Sequence, residues 1–400
     1  MSIVAELDLS ESTLVERWSR VKEDFWGDLK AQTNLAVKRL LESMMEIEVQ
    51  DLIGARRGQH HPNRPTYRNG HYTRTLLTSL GWLTGLRVPR VRAGNPTTKV
   101  LPRYAQRAPD IDRTVLEMFL AGTSTRRVSE VLAPLAGPKA LSATTVSRIA
   151  KVLDGHVRRY HQRPLPDTYE YFILDGIYLN TKSPLKKRRR CVLVVYGIMA
   201  NGHRDLVDFE LAAYGESQAA WERFLNRLYH RGLEGKNLKL AVLDGNKGSW
   251  NALSLVYPHV PRQRCWAHKL RNVANHLPRK IQDACIAEAR AIYKAPSRQE
   301  AMRLFTVWAR SWRAAAPKAV ACLEHDIEDL LPFLECPPEL RVKLRTTNII
   351  ERVFREVRRR TRPMSCFQNP QSVERIIYAI FHRMNSIWKA RPLRKVTQDS

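Results

Sequence analysis

TYEYFILDGIYLN (168–180), CVLVVYGIMA (191–200) and LVDFELAA (206–213) are three runs rich in β-branched and aromatic residues. Runs of this length and composition read as strands. Residues 216–233 then repeat apolar side chains at helical spacing, with Trp221, Phe224, Leu225 and Leu228 on one stripe. Another short apolar run, Leu238–Leu243, ends at Asp244. Three antiparallel strands, a helix and a further strand form the opening order of a ribonuclease-H-like α/β fold.

Downstream, residues 266–340 have helical periodicity, with Met302, Phe305, Trp308 and Trp312 as one stripe, and read as an all-helical insertion. Helical patterning resumes after Thr347 and again over 372–388, where Val373, Ile377, Ile380, Met384 and Ile387 share a face. Upstream, the prolines of HQRPLPD (161–167) break the helical pattern and mark a linker. Residues 110–158 hold three helical patterns, the last two spaced like a helix-turn-helix. Ser124 can cap a helix with Val128, Val131, Leu132 and Leu135 on one stripe; Ser142 can cap the next, with Val146, Ile149, Ala150 and Leu153. The second helix shows Thr144, Thr145, Arg148 and Lys151 on its other face, short polar and basic groups suited to a major groove. An ordinary helical hairpin with a solvated face has the same pattern. Residues 1–55 read as helical around Leu35, Val37, Leu40 and Leu41, and 56–103 as a basic, turn-rich stretch with short strands. The expected division is an N-terminal helical and basic region (1–109), a helix-turn-helix DNA-binding domain (110–163), a ribonuclease-H-like domain in two parts (164–265 and 346–400, the latter with a C-terminal helix) and the insertion between them (266–345).

Composition narrows the partner. Lysine and arginine number 67 against 39 acids, a formal charge of +28, while 44% hydrophobic residues and nine tryptophans supply a core. Such an excess of positive charge calls for a polyanion. Because basic residues recur from Arg56 to Arg394 instead of clustering beside an apolar anchor, nucleic acid fits better than a membrane. No run approaches the roughly 20 apolar residues of a membrane span, and MSIVAELDLSES lacks the pattern of a signal peptide, so an intracellular protein is expected. Six scattered cysteines suit reduced thiols. The basic run Lys186–Arg190 reads as a hairpin tip, either solvated or lying under DNA.

Two aspartates end apolar runs and precede glycine: Asp175 in FILDGIYL and Asp244 in AVLDGNKG. A carboxylate at such a place is costly unless solvated, paired or bound to a cation, and adjacent strands would let the two share Mg²⁺, a hard ion that takes oxygen ligands. Asp-Gly also simply makes turns. A third acid lies in TTNIIERVFREVRRRTR (346–362), where Ile350, Val353, Phe354 and Val357 form the buried stripe and Glu351, Arg355 and Arg358 share another face. Glu351 is either a surface ion-pair partner or a metal ligand whose arginine neighbours grip DNA. Glu356, five residues on, points about 140° away, so only one of the two acids can face the aspartates. Arg355, Arg359 and Arg360 around Glu356 suit a solvated or DNA-facing ion pair.

Taken together and in order, YRNGHYTRTLLTSLG, LRVPRVRAG, GTSTRRVSEVL with LSATTVSRIAKVLD, LDGIYL, LDGNKGSWNAL, QRCWAHKLRNV and TTNIIERVFREVRRRTR resemble the Mutator-type transposases of bacterial insertion sequences across nearly the whole chain. The resemblance implies a ribonuclease-H-like DDE domain interrupted by a helical insertion, with Asp175, Asp244 and Glu351 as catalytic metal ligands for two Mg²⁺ (or Mn²⁺) ions. The family's Cys and His pair falls on Cys265 and His268, and its basic residue after the Glu on Arg358. Where the family usually has Asn, this chain has Phe354. Cys265 and His268 supply only half of a structural zinc site and have no second pair, which favours packing or substrate positioning. The implied activity is metal-dependent cleavage and joining of double-stranded DNA at terminal inverted repeats and a target. A homodimer or larger oligomer would act on DNA in the bacterial cytoplasm, associated with the nucleoid. A DNA-binding regulator that uses only the helix-turn-helix, and a hydrolytic nuclease of the same fold, are the rival readings.

Overall fold

The computed structural model describes residues 11–59, 62–92, 99–102, 104–137, 141–182, 187–213, 215–362, 366–391 and 393. The chain forms two compact units, one of residues 1–119 and 123–150, the other of residues 120–122 and 151–400.

In the first unit the N-terminal region is two helices, α1 (Glu11–Val21) and α2 (Phe25–Ile53). Asp24 separates them by accepting from the Gly27 N–H at the start of α2, and Gly54, in the left-handed region, ends α2. The buried stripe of α2 is Met45, Val49 and Ile53, whereas Leu35 and Leu40 are exposed. Strands β1 (Arg68–Thr78) and β2 (Gly81–Val91) form an antiparallel two-stranded ribbon. Its residues Leu76, Leu83, Leu86 and Val88 share a core with Met45 and Leu101. Helices α3 (Pro109–Leu120), α4 (Thr125–Ala136) and α5 (Ala143–Ala150) follow. Ser124 caps α4 through the Arg127 N–H and Ser142 accepts from the Thr145 N–H. Val128, Leu132, Ala136, Val146 and Ile149 pack into one core, while Val131 is exposed because the buried stripe runs at i, i+4, i+8. α5 is shorter than the spacing implies. It stops at Ala150, so Lys151 lies in a turn and Leu153 opens the next helix.

The second unit begins with α6 (Leu153–Gln162), ahead of the prolines. Strands β3 (Tyr169–Lys182), β4 (Lys187–Met199) and β5 (Arg204–Ala212), helix α7 (Gln218–Tyr229) and strand β6 (Leu240–Leu243) then match the order read from the sequence. Helix α8 (Lys247–Val256) and strand β7 (Arg262–Arg264) come next. The five strands form one mixed sheet in the order β5-β4-β3-β6-β7, with β3, β4 and β5 antiparallel and β6 and β7 parallel to β3. Nothing in the sequence signals β7. Its central Gln263 is fully buried and is held by the carbonyls of Arg264 and Leu330 and the N–H of Phe333.

Phe172, Leu174, Leu193, Val195, Ala241 and Leu243 share a core with Trp221, Phe224 and Leu253 from α7 and α8. Ile173, Ile177, Val192 and Val194 are also fully buried, so the sheet is covered on both faces. The chain leaves the sheet through α9 (Trp266–Ala274), α10 (Arg279–Ile292), α11 (Arg298–Trp312), α12 (Pro317–His325) and α13 (Pro338–Leu344), an all-helical excursion. It returns as α14 (Asn348–Thr361), which contacts β3, and α15 (Pro370–Lys389), which contacts β5. All six cysteines are free, and among the described residues no helix is long and apolar enough to cross a membrane. Part of the basic run Lys186–Arg190 lies outside the described residues.

A buried ion network anchors α6 and α7 to β5. Asp208 is fully buried, accepts from His161 Nδ1 at 2.7 Å and pairs with Arg231. The neighbouring Glu210 binds Arg223 and Arg227. Removing one partner of a buried pair strands the other charges, so Asp208→Ala should destabilise this unit by about 3–5 kcal/mol, read as a lower urea midpoint.

Candidate active site

β3 and β6 are paired in parallel, with Tyr171 opposite Leu240 and Ile173 opposite Val242. Two residues further along that register, Asp175 is level with Asp244. β7 continues the pattern on the far side of β6: Leu243 is opposite Arg264, so the next step sets Asp244 beside Cys265, whose N–H donates to the Leu243 carbonyl at 2.7 Å. Adjacent strands are about 4.8 Å apart. Asp175, Asp244 and Cys265 therefore share one level of the sheet, where β6 and β7 end. This is also where the strand order switches direction, the place at which open α/β sheets bind ligands.

The two Asp-Gly pairs have different causes. Gly176 lies inside β3 and makes no turn; a Cβ there would stand 2.8 Å from Cys191 Sγ and 3.1 Å from Glu216 Oε2. Gly245, at φ +95°, does turn the chain. Asp244 Oδ1 accepts from the Asn246 N–H at 2.8 Å, and Asn246 caps α8.

Asp175 is 7% exposed, and its oxygens find the Gly176 N–H but no cationic side chain among the described residues. Burial pushes its carboxyl up to about 8, and the charges of Asp244, Glu216 and Glu351 push in the same direction. Glu216 was not anticipated from the sequence. It precedes Ser217, the cap of α7, where an acid reads as an ordinary complement to the helix dipole. Here it packs beside Gly176 and accepts from Trp221 Nε1 at 3.0 Å, and burial followed by the charge of Asp244 raises it to about 7. Asp244, Glu216 and Glu351 are thus near enough to Asp175 for their charges to bear on it.

Glu351 comes from the first turn of α14, and the CWAH segment holds that turn in place. Cys265 Sγ accepts from the Thr347 N–H at 3.2 Å and from its hydroxyl at 3.4 Å. His268 Nδ1 is 3.4 Å from the same hydroxyl, while its Nε2 is 3.7 Å from Glu351 Oε1. Burial pushes the Cys265 thiol up and the His268 imidazole down. Arg271 is 4.0 Å from Glu351. Glu356, on another side of the helix, is paired with Arg359 and Arg360. Phe354 is in the core with Ile350, Val353 and Val357, remote from the polar side of α14.

Arg355 and Arg358 are exposed and have no carboxylate partner among the described residues. Arg360, expected to face DNA, is 8% exposed, pairs with Glu356 and donates to the Leu120 carbonyl at 3.3 Å. Arg359 is exposed but bound to Glu356. In the first unit Thr144 and Arg148 are exposed and Thr145 is half-buried; Lys151 is exposed in the turn beyond α5.

Asp175, Asp244, Glu216 and Glu351 offer hard oxygen donors suited to a divalent cation, and burial beside neighbouring negative charge gives Asp175 and Glu216 reason to take one. Among the described residues, no three His, Cys, Asp or Glu side chains are close enough together to form a metal-holding group as they stand.

The family model "Transposase, Mutator family" matches residues 12–391. The transposase for insertion sequence element ISRM5 of Rhizobium meliloti (strain 1021) is 35% identical over 88% of this chain and 87% of its own length. That for IS406 of Burkholderia multivorans is 36% identical over 88% and 90%, and that for IS256 in transposon Tn4001 of Staphylococcus aureus is 30% identical over 87% and 89%. By a match spanning both compact units and the whole carboxylate edge, the chain belongs to the Mutator family of transposases.

Proposed function

We propose that this transposase binds the terminal inverted repeats of an insertion sequence and cuts and joins DNA at Asp175, Asp244 and Glu351. The carrying observation is the parallel register that sets Asp175 level with Asp244, with Asp175 buried and without a cationic partner among the described residues. Three antiparallel strands followed by two parallel ones, interrupted by helices before α14, support the ribonuclease-H-like DDE reading. Mg²⁺ or Mn²⁺ bound by these carboxylates would supply Lewis-acid activation of the attacking oxygen and charge stabilisation at the phosphate. Asp175 and Asp244 would hold the cation from the sheet. Glu351 completes the set from α14, positioned by Cys265 and His268 through Thr347. Arg358, one face with Glu351, is available to the substrate phosphate.

Recognition of the ends falls to the first unit. α4 and α5 act as a helix-turn-helix, with Thr144, Thr145 and Arg148 reading the groove and Lys151 following. Joining two ends requires two catalytic sites, so a homodimer or larger oligomer works on the DNA, inside the bacterial cytoplasm.

On an end-bearing duplex with Mg²⁺, Asp175→Asn, Asp244→Asn and Glu351→Gln should each lose several kcal/mol of transition-state stabilisation, about a thousandfold or more in cleavage rate. DNA affinity should be retained. Glu356→Gln should still cut, because its carboxylate serves Arg359 and Arg360. A cutting Asp175→Asn variant would overturn the assignment, and cleavage without joined products would identify a nuclease instead.

The raised carboxyls also set a pH dependence. Asp175 and Glu216 bind protons more tightly folded than unfolded, so their contribution to stability is full below their ordinary values of 3.8 and 4.5 and is lost as pH rises through about 7 to 8. Without divalent cations the thermal midpoint should fall across that window, and Mg²⁺ should restore it at the alkaline end. Asp175→Asn should flatten both responses in calorimetry.

A further inference from the structure

From Leu52 to Pro109 the sequence holds eleven Lys and Arg and not one Asp or Glu. The β1–β2 ribbon is the structured centre of this stretch, and its surroundings divide it electrostatically. Behind it, α2 turns its acids onto the ribbon: Glu42 accepts from the Arg87 N–H at 2.8 Å, and Glu46 binds His71 at 2.5 Å with Arg68 at 3.7 Å. Glu48 accepts from the N–H groups of Lys99 and Val100. These carboxylates are engaged with backbone amides, Arg68 and His71. The guanidinium groups of Arg87, Arg90 and Arg92 are exposed, and none has a carboxylate partner among the described residues. Tyr72, also exposed, lies under Arg90 with 5.7 Å between guanidinium and ring centre, a cation–π pair that holds the arginine outward.

We infer that the β1–β2 ribbon is a contact surface for double-stranded DNA, separate from α5, with Arg87, Arg90 and Arg92 binding backbone phosphates. Charge complementarity carries the choice of partner. Eleven residues per strand extend over about 35 Å, and a two-stranded ribbon matches the roughly 12 Å width of a major groove. Unpaired arginines beside an exposed aromatic ring suit planar, two-pronged contacts to phosphate. The inference rests on the DNA-processing reading above and adds a surface to it.

The test measures binding of the full chain to an end-bearing duplex and to an unrelated duplex by fluorescence anisotropy across a salt series. Arg87→Ala with Arg90→Ala should lower the slope of log affinity against log salt by about 2, at about 0.9 per phosphate contact, on both duplexes. The paired lysine variant, Arg87→Lys with Arg90→Lys, should keep the slope. Arg90→Glu gives the same reading from one exposed position, with circular dichroism checking the fold of each variant. Unchanged slope and affinity in a folded alanine pair would overturn the inference, as would a loss confined to binding of phosphatidylglycerol vesicles. Mg²⁺-dependent cleavage by the wild type is scored in parallel. If cleavage is present but the alanine pair binds like wild type, only the ribbon assignment fails; if the slope falls but the wild type never cuts, only the catalytic reading fails.

Discussion

The parallel pairing of β3 with β6 and of β6 with β7 is the constraint on which the site depends. A one-residue slip in either pair would move Asp175 or Cys265 off the level of Asp244 and turn alternate side chains to the wrong face. The core makes such a slip expensive, because Phe172, Leu174, Ala241 and Leu243 are all buried against α7 and α8. The register that packs the sheet is therefore also the one that forces carboxylates together. Their mutual repulsion is a local cost held in place by apolar burial elsewhere, a common arrangement where a charged ligand is to be bound.

The helical excursion between β7 and α14 needs a closure as well as a start. Trp266, the first residue of α9, donates its N–H to the Arg345 carbonyl at 3.0 Å, and Cys265 takes the Thr347 N–H two residues later. Inside the excursion, Lys269 and Asp326 form a buried pair, and the indole of Trp266 donates to the Leu330 carbonyl at 2.6 Å. These contacts fix the two ends of the excursion against one another, so the inserted helices do not loosen the first turn of α14. Cys265 thus bears on the first turn of α14 through Thr347, and His268 faces Glu351 directly at 3.7 Å.

Much of this was legible in the residues. The three long strands, α7 and β6 announce themselves by apolar alternation or stripe, and the buried face of α14, Ile350 with Val353, Phe354 and Val357, follows from its spacing alone. Phe354 lies on that same face as a core side chain. What escaped depended on tertiary partners. β7 is three polar residues long, and Gln263 is buried only because Leu330 and Phe333 come to it. Glu216 sits where any helix would welcome an acid, and only the strand order brings that helix start to the edge holding Asp244. Arg360 reads as one of a solvated basic run, yet the helix phase turns it inward to Glu356 and the Leu120 carbonyl. The break after Ala150 is equally silent, since Leu153 continues the apolar spacing across it.

The layout of charge makes affinity and chemistry electrostatic opposites. The chain carries +28 overall, yet the carboxylate edge gathers four acids around a place proposed for a phosphodiester. Alone, that edge would repel the phosphate, and at a separation of about 4 Å each unscreened contact in a partly buried setting is worth several kcal/mol. The long-range attraction must then come from basic surfaces away from the acids, while a divalent cation reverses the sign locally. Separating the two tasks has a physical advantage. Phosphate contacts along the backbone can be numerous and tolerant of sequence, whereas Asp175 and Asp244, which have no cationic partner among the described residues, would oppose occupancy of this place by DNA alone. If the proposed site holds both, cation and DNA would favour one another's binding, because each would neutralise the charge that repels or strands the other.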